Sequence, residues 1–285
     1  MMHCSATETI FIPKIQCNLC GRSEFKIIED HEPPFKVIQC AYCRLLFVNP
    51  FPEKAALIKH YDENYYTEWL AAQSKRRLKM WKRRLNKLES FEKCGSLLDV
   101  GCATGMFLDL AKKRGWKVSG TELSPYASRH AKNILGMPIF CGELTDSPYH
   151  NKSFDVITMW HVLEHVMDPA SYLRKAYNLL KPGGLLVVAV PNVNDHIMRI
   201  AYRIVKGRKM MMFSKDEREI HLFHFSIRTL KALLEETGYH CLRLGPDFGE
   251  INYLKKTVNM ISAILSQLTG THMFNAIEAF ARRER

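Results

Sequence analysis

The stretch Leu97-Leu98-Asp99-Val100-Gly101-Cys102-Ala103-Thr104-Gly105 decides the fold. Leu97, Leu98 and Val100 form a short apolar run, the run stops at small residues, and a helical apolar pattern starts at Met106. That order predicts a buried strand, a tight turn and a helix start. Gly101 and Gly105 can take backbone angles closed to other residues, which lets a ligand approach the main chain. Free N–H groups at the helix start favour polar or anionic ligand groups.

Outward from this turn, Lys117-Val118-Ser119-Gly120-Thr121 reads as a second strand ending at Glu122, where a carboxylate can accept hydrogen bonds from two ribose hydroxyls. A dinucleotide-binding turn requires G-x-G-x-x-G. Here Met106 stands three residues after Ala103, so the pyrophosphate spacing is missing and the expected ligand carries a ribose without a diphosphate. The turn resembles the first motif, D-x-G-x-G-x-G, of the class I S-adenosylmethionine (SAM)-dependent methyltransferases, with Asp99, Gly101, Ala103 and Gly105 in its places and Ala for the middle Gly.

Further motifs carry the resemblance over roughly residues 90–245. They are Glu122, then Gly142-Glu143-Leu144 after the third strand, Phe154-Asp155-Val156-Ile157 on the fourth, and Lys181-Pro182-Gly183-Gly184 before the fifth. The resemblance implies a SAM site built from Asp99, Gly101, Cys102, Ala103 and Gly105, from Glu122 and Leu123, from Glu143 and Leu144, and from Trp160. In it an acidic side chain and the next backbone N–H read the adenine. Three carboxylates facing a cofactor that offers an ammonium, a ribose and an adenine amine make a coherent set, and the positive sulfonium favours the same neighbourhood. Tyr61, Tyr65 and Tyr66 stand where similar enzymes cover the cofactor.

Strands are expected near 96–100, 117–121, 138–141, 154–160, 184–190, 239–244 and 274–281. Helices are expected near 105–114, 124–135, 168–180, 226–237 and 251–268. The alternation implies an α/β fold, a Rossmann-like, mostly parallel seven-stranded sheet. Residues 191–225 lack a clear period and read as a substrate-facing, partly helical insertion. Residues 51–92 read as a helical linker and cofactor lid. Within it, a helix over 69–91 bears eight Lys and Arg residues beside an apolar face. A solvated basic face is the default for that helix, and a surface for acidic substrate, RNA or lipid headgroups is the functional alternative.

Residues 14–50 carry Cys17-x2-Cys20 and Cys40-x2-Cys43, nineteen residues apart. Two such pairs suit one tetrahedral zinc, each pair at the tip of a small hairpin, with no open coordination position; the metal is therefore expected to be structural. Phe25-Lys26-Ile27 and Phe35-Lys36-Val37 alternate as two strands joined through Asp30 to Pro34. Residues 93–285 then form the methyltransferase domain.

Four histidines are candidates for proton transfer, since imidazole titrates near neutrality and can take a hydroxyl proton. His161 and His165 lie in Trp160-His161-Val162-Leu163-Glu164-His165, and His221 and His224 in His221-Leu222-Phe223-His224-Phe225-Ser226, a stretch like the H-L-x-H-F-S of similar proteins. His224 and His161 rank above His165 and His221. His161, Glu164 and His165, at i, i+3 and i+4, are also a candidate divalent-metal group, because some methyltransferases place E-x-x-E-H here; this chain has His at the first position.

The formal net charge of +12 favours anionic partners, whether nucleotide-linked or phosphorylated small molecules, nucleic acid or an acidic membrane surface. Nine cysteines, four in close pairs, suit metal ligands and thiols in a reducing cytoplasm better than a disulfide framework. No run of 18 or more apolar residues marks a spanning helix, which leaves peripheral membrane contact open. The expected protein is a cytoplasmic SAM-dependent methyltransferase with a zinc ribbon, acting on oxygen of a small anionic acceptor. An RNA or protein methyltransferase is the alternative within the enzyme class, though no N-P-P-Y-like element follows the fourth strand and nucleic acid is the less favoured partner. A non-catalytic SAM-binding scaffold is the alternative outside it.

Overall fold

The computed structural model describes residues 9–11, 15–59, 61, 63–71, 75–215, 217, 219–247, 249, 253–269 and 271–284. The chain opens with β1 (Thr9–Phe11), β2 (Glu24–Glu32), β3 (Phe35–Cys40) and β4 (Leu46–Asn49), followed by α1 (Lys54–Lys59), α2 (Glu63–Ala71) and α3 (Lys75–Glu89). Alternation then begins with β5 (Ser96–Val100), α4 (Met106–Lys113), β6 (Lys117–Glu122), α5 (Pro125–Leu135), β7 (Phe140–Cys141), β8 (Phe154–Trp160), α6 (Pro169–Leu179) and β9 (Leu180–Pro191). It ends with α7 (His196–Lys206), β10 (Phe223–His224), α8 (Ile227–Glu236), β11 (Tyr239–Pro246), α9 (Tyr253–Thr269) and β12 (Ala276–Arg283).

The seven-stranded sheet runs β11-β12-β9-β8-β5-β6-β7. β5 is parallel to β6 and β8, β6 to β7, and β8 to β9, while β12 runs antiparallel to both of its neighbours. The expected mostly parallel sheet is therefore present. Its central strands are buried on both faces, as parallel strands covered by helices must be. Leu97, Val156, Leu185 and Val187 pack with Leu85 and Leu88 of α3, Phe107 of α4 and Leu135 of α5. Leu98, Ile157, Leu186 and Val188 point the other way, onto Leu173 of α6 and Leu230 of α8. Local chemistry fixes the helix ends: the side chains of Ser124 and Asp168 accept the N–H of Ala127 and Ser171, Pro follows each cap, and Ser226 and Thr229 form a capping box.

Four expectations shift, the first being the fifth strand, which starts at Leu180 and takes in residues 181–184 instead of following them. The helix expected over 69–91 lies in two runs, α2 beginning at Glu63 and α3 ending at Glu89, with 72–74 outside the described residues. The strand expected at 138–141 is only Phe140–Cys141, and the last strand starts at Ala276 instead of Phe274.

The smaller sheet runs β1-β2-β3-β4-β10, so a strand from the 191–225 segment completes the N-terminal ribbon, with Phe223 opposite Phe47 and His224 opposite Leu46. The rings of Phe25, Phe47 and Phe223 lie 5.5 and 5.8 Å apart in succession. Glu29 and Glu32 accept the backbone N–H of Met212 and Lys215. Ribbon residues such as Phe25, Ile38 and Phe47 share one continuous apolar cluster with the sheet's α6–α8 face. The later part of the 191–225 segment faces the ribbon, which corrects the expectation of a substrate-facing insertion; among its described residues only Glu219 lines the cleft.

Candidate active site

A cleft of about 570 Å³ opens at the carboxyl ends of β5, β6 and β8. The strand order reverses between β5 and β8, the position at which open α/β sheets bind ligands. The turn after β5 needs unusual backbone. Gly101 has φ 68°, and a Cβ there would sit 2.9 Å from Val162 Cγ2. Ala103 has φ 49°. Gly105 (φ 82°) caps α4 against Ala131 and stands behind the wall; the other nine residues expected to hold the cofactor line the cleft.

Glu122 is buried, yet its oxygens accept the N–H of Ala103 (2.9 Å) and Ser124 (2.8 Å) and the Tyr66 hydroxyl (3.3 Å). Burial raises its pKa in spite of these donors. Burial also lifts Asp99 to about 7, against the hydrogen bond it accepts from Thr158 Oγ1 at 2.6 Å. Glu143 pairs with Lys54 of α1 at 2.6 Å. Tyr61, Tyr65 and Tyr66 line the same cleft, Tyr65 donating to Glu219 at 2.7 Å.

At the other end stands His161, the first residue after β8, with φ 57°. A non-glycine residue held there is a strained position of the kind that clusters at functional sites. Its Nδ1 lies 3.3 Å from Glu164 Oε1, and its Nε2 lies 3.2 Å from Arg84 Nη2 and 3.8 Å from Asp247 Oδ2. Burial opposes the imidazolium and Arg84 repels it, but Asp247 and Glu164 outweigh both and raise the pKa to about 9. Arg84 and Asp247 form a buried ion pair, and Arg84 also lies over the rings of Trp160 (4.5 Å) and Trp81 (5.0 Å). Burial works against the Asp247 carboxylate, yet Arg84 and His161 hold it well below the usual range.

His165 lines the cleft, whereas His221 and His224 do not. His224 ranks first as a base on sequence, and the structure corrects that. It sits in the ribbon sheet, its Nε2 buried with no hydrogen bond among the described residues, and burial beside His221 lowers its pKa to about 3. Burial likewise lowers His221 to about 4. The metal triad also changes membership. Glu164, His165 and His221 bring ligand atoms within 4.8 Å of one another, and His161 is not in that group. Both Glu164 oxygens are buried with no hydrogen bond among the described residues, and His165 Nδ1 is tied to Ile220 O at 2.8 Å.

Sequence reasoning missed Arg84, Asp247 and Lys54. A signal for Arg84 was present. Arg77, Met80, Trp81, Arg84 and Leu88 share one helical stripe, so two of the cations on the supposedly solvated face lie on its buried side, Arg77 at 9% and Arg84 at 5% exposure. Asp247 had no local signal, since it reaches the cleft only through the loop after β11.

Apart from the cleft, Cys17, Cys20, Cys40 and Cys43 bring four Sγ atoms within 4.8 Å, with Cys17–Cys43 at 3.4 Å and Cys20–Cys40 at 3.5 Å.

Comparison with known proteins gives one answer at three levels. The family described as "Methyltransferase domain" matches residues 69–244, more than half of the chain. The chain is 29% identical over 186 residues to the ubiquinone biosynthesis O-methyltransferase of Colwellia psychrerythraea, covering 63% of this chain and 68% of that one. It is 34% identical over 178 residues to the protein of that name from Marinobacter nauticus, covering 55% and 74%. Several others of that name align over only about half their length. In fold it is similar to a SAM-dependent methyltransferase from Archaeoglobus fulgidus, with TM-score 0.55, 18% identity, and coverage of 78% of this chain and 100% of that one.

Proposed function

The chain belongs to the class I SAM-dependent methyltransferases, and from that premise we propose that it methylates an oxygen of a small, negatively charged acceptor seated at the Arg84–His161 end of the cleft. The observation that carries this reading is His161, held by a strained backbone at the mouth of β8 between Arg84, Asp247 and Glu164. The relatives named above as O-methyltransferases support oxygen as the methylated atom.

The residues of the cleft fit SAM. Gly101 presents bare backbone to the cleft, where a Cβ would run into Val162, and Trp160 Nε1 in the cleft wall is buried with no hydrogen bond among the described residues. Glu122 would hold the ribose hydroxyls, Glu143 and the Leu144 N–H the adenine, and Asp99 the ammonium end. When bound, SAM supplies a methyl group on a positively charged sulfur, which leaves as a neutral thioether with the electron pair of the broken C–S bond. The protein must then hold the acceptor oxygen in line with that methyl and remove its proton. His161 takes the proton as the new C–O bond forms, and Asp247 and Glu164 stabilise the imidazolium that results. Arg84, fixed by Asp247, orients an anionic acceptor.

A structural zinc is proposed for the four cysteines. Zinc–sulfur bonds of about 2.3 Å put tetrahedral sulfurs roughly 3.8 Å apart, close to the spacing present. All four positions would be protein sulfurs, so this ion holds the ribbon together and has no part in methyl transfer. A second cation reading attaches to Glu164, His165 and His221, because their ligand atoms lie within 4.8 Å of one another around a buried carboxylate. Chelation that abolishes turnover, restored by a divalent ion and absent from a Glu164→Gln variant, would support it.

The main reading is tested by incubating the protein with tritiated SAM and cell extract and sorting labelled products by size and by alkaline stability. Label in a small ether is expected; label in RNA or protein would favour the macromolecular alternative, and absence of any label would favour a scaffold.

A further inference from the structure

α7 carries Ile197, Ile200, Ala201 and Ile204 at the spacing of one helix face and Arg199, Arg203 and Lys206 on the opposite face. Such a stripe normally packs on a core. Here no residue of the helix is buried, and Ile200, Ile204 and Val205 are 60%, 77% and 78% exposed. The adjacent α9 is turned inside out. Asn259, Ser262, Ala263 and Ser266 face the protein, while Met260, Ile261, Ile264 and Leu265 face outward. The inward polar groups anchor it: Asn259 Nδ2 donates to Asp247 O (3.1 Å), its Oδ1 accepts the Asn275 N–H (2.9 Å), and Ser266 Oγ accepts the Met273 N–H (2.8 Å). Water is the wrong solvent for both outer faces.

We propose that α7 and α9 together form a docking surface for an anionic lipid bilayer. An amphipathic helix with Arg and Lys on its polar face and Ile on the other is built to lie in the headgroup layer with its apolar side in the acyl boundary. Arg203 and Lys206 on the polar face of α7, and Arg208 just past its end, are exposed and match anionic headgroups in sign, as does the net charge of +12. A second copy is the poorer occupant, because a two-fold contact through the isoleucines would supply no counter-charge to these cations, whereas an anionic headgroup layer meets both. Among the described residues no helix is long and apolar enough to cross a membrane, so the contact is peripheral. The surface borders the cleft, since Asn259 holds Asp247 and Asn275, both of which line it. Docking therefore brings the acceptor end close to the lipid, whatever the acceptor is.

The test is co-sedimentation of the full chain with vesicles of phosphatidylcholine alone and of phosphatidylcholine mixed with phosphatidylglycerol. Binding is expected to the mixed vesicles, weakly if at all to the neutral ones, and to fall as salt is added. Two surface pairs, Ile204→Glu with Val205→Glu and Ile261→Glu with Ile264→Glu, should each weaken it about tenfold or more, while affinity for S-adenosylhomocysteine shows that the variants are folded. Equal binding by wild type and variants would overturn the proposal. So would absence of binding to the mixed vesicles at low salt; light scattering that showed a dimer lost in the variants would then make the face an interface between copies.

Discussion

Ala103 occupies the middle position of a motif that elsewhere carries Gly, and its φ of 49° shows why Gly suits it. A Cβ in the left-handed region costs about 1–2 kcal/mol, so Ala103→Gly should be neutral to stabilising by up to about 1 kcal/mol once the greater freedom of Gly in the unfolded chain is subtracted; urea denaturation measures it. Glu122→Ala removes the acceptor proposed for two ribose hydroxyls and should weaken S-adenosylhomocysteine by about 1–3 kcal/mol in a calorimetric titration. Unchanged affinity would sink that assignment. For His161, with its pKa raised to about 9, the sign is determined. A base must be unprotonated, so turnover should climb about tenfold per pH unit and level off near pH 9, or lower once a cationic sulfonium shares the cleft. His161→Ala should lower turnover roughly 10²–10⁴-fold with S-adenosylhomocysteine affinity nearly intact. Asp247→Asn removes one carboxylate from His161 and should move the plateau toward neutral pH. A profile flat from pH 6 to 9 in the wild type would exclude His161 as the base.

At the scale of elements, the ribbon and the segment that returns to it depend on each other. β10 is two residues long and would not persist without β4 to pair with, while β4 gains in Phe223 a partner for Phe47. Residues 17–49 are too few to bury a core of their own, and a metal cross-link is the common substitute. Cys40→Ser should therefore release the zinc and loosen β2, β3, β4 and the 212–225 segment together. No described residue before Lys54 lines the cleft, so S-adenosylhomocysteine should still bind. Elemental analysis and limited proteolysis of wild type and variant read both effects: zinc well below one equivalent in the wild type, or identical protease resistance, would count against a structural ion.

Taken whole, the molecule gathers its cleft from distant parts of the chain, among them α1–α3, the turns after β5, β6, β7 and β8, and the loop after β11. A ligand that binds only this assembled cleft should raise the melting temperature of the entire chain, by the equivalent of about 2.7 kcal/mol at a hundredfold excess over its Kd; scanning calorimetry with S-adenosylhomocysteine tests it. Because the ribbon shares an apolar cluster with the sheet, the zinc-loaded protein should melt in one transition, and two resolved transitions would show that the ribbon folds separately. The sequence alone determined the sheet, the cofactor turn and the four cysteines. Their signals are local: apolar runs of strand length, glycines where the backbone must turn left-handed, thiols in close pairs. Tertiary structure alone decided which histidines face the cleft, that Arg84 meets Asp247, that Glu164 gathers His165 and His221, and that α9 turns its apolar face outward. These depend on contacts between residues as many as 163 positions apart, and on which side of a helix the rest of the fold covers. Spacing along the chain encodes periodicity, and the direction of burial is set only when the elements pack.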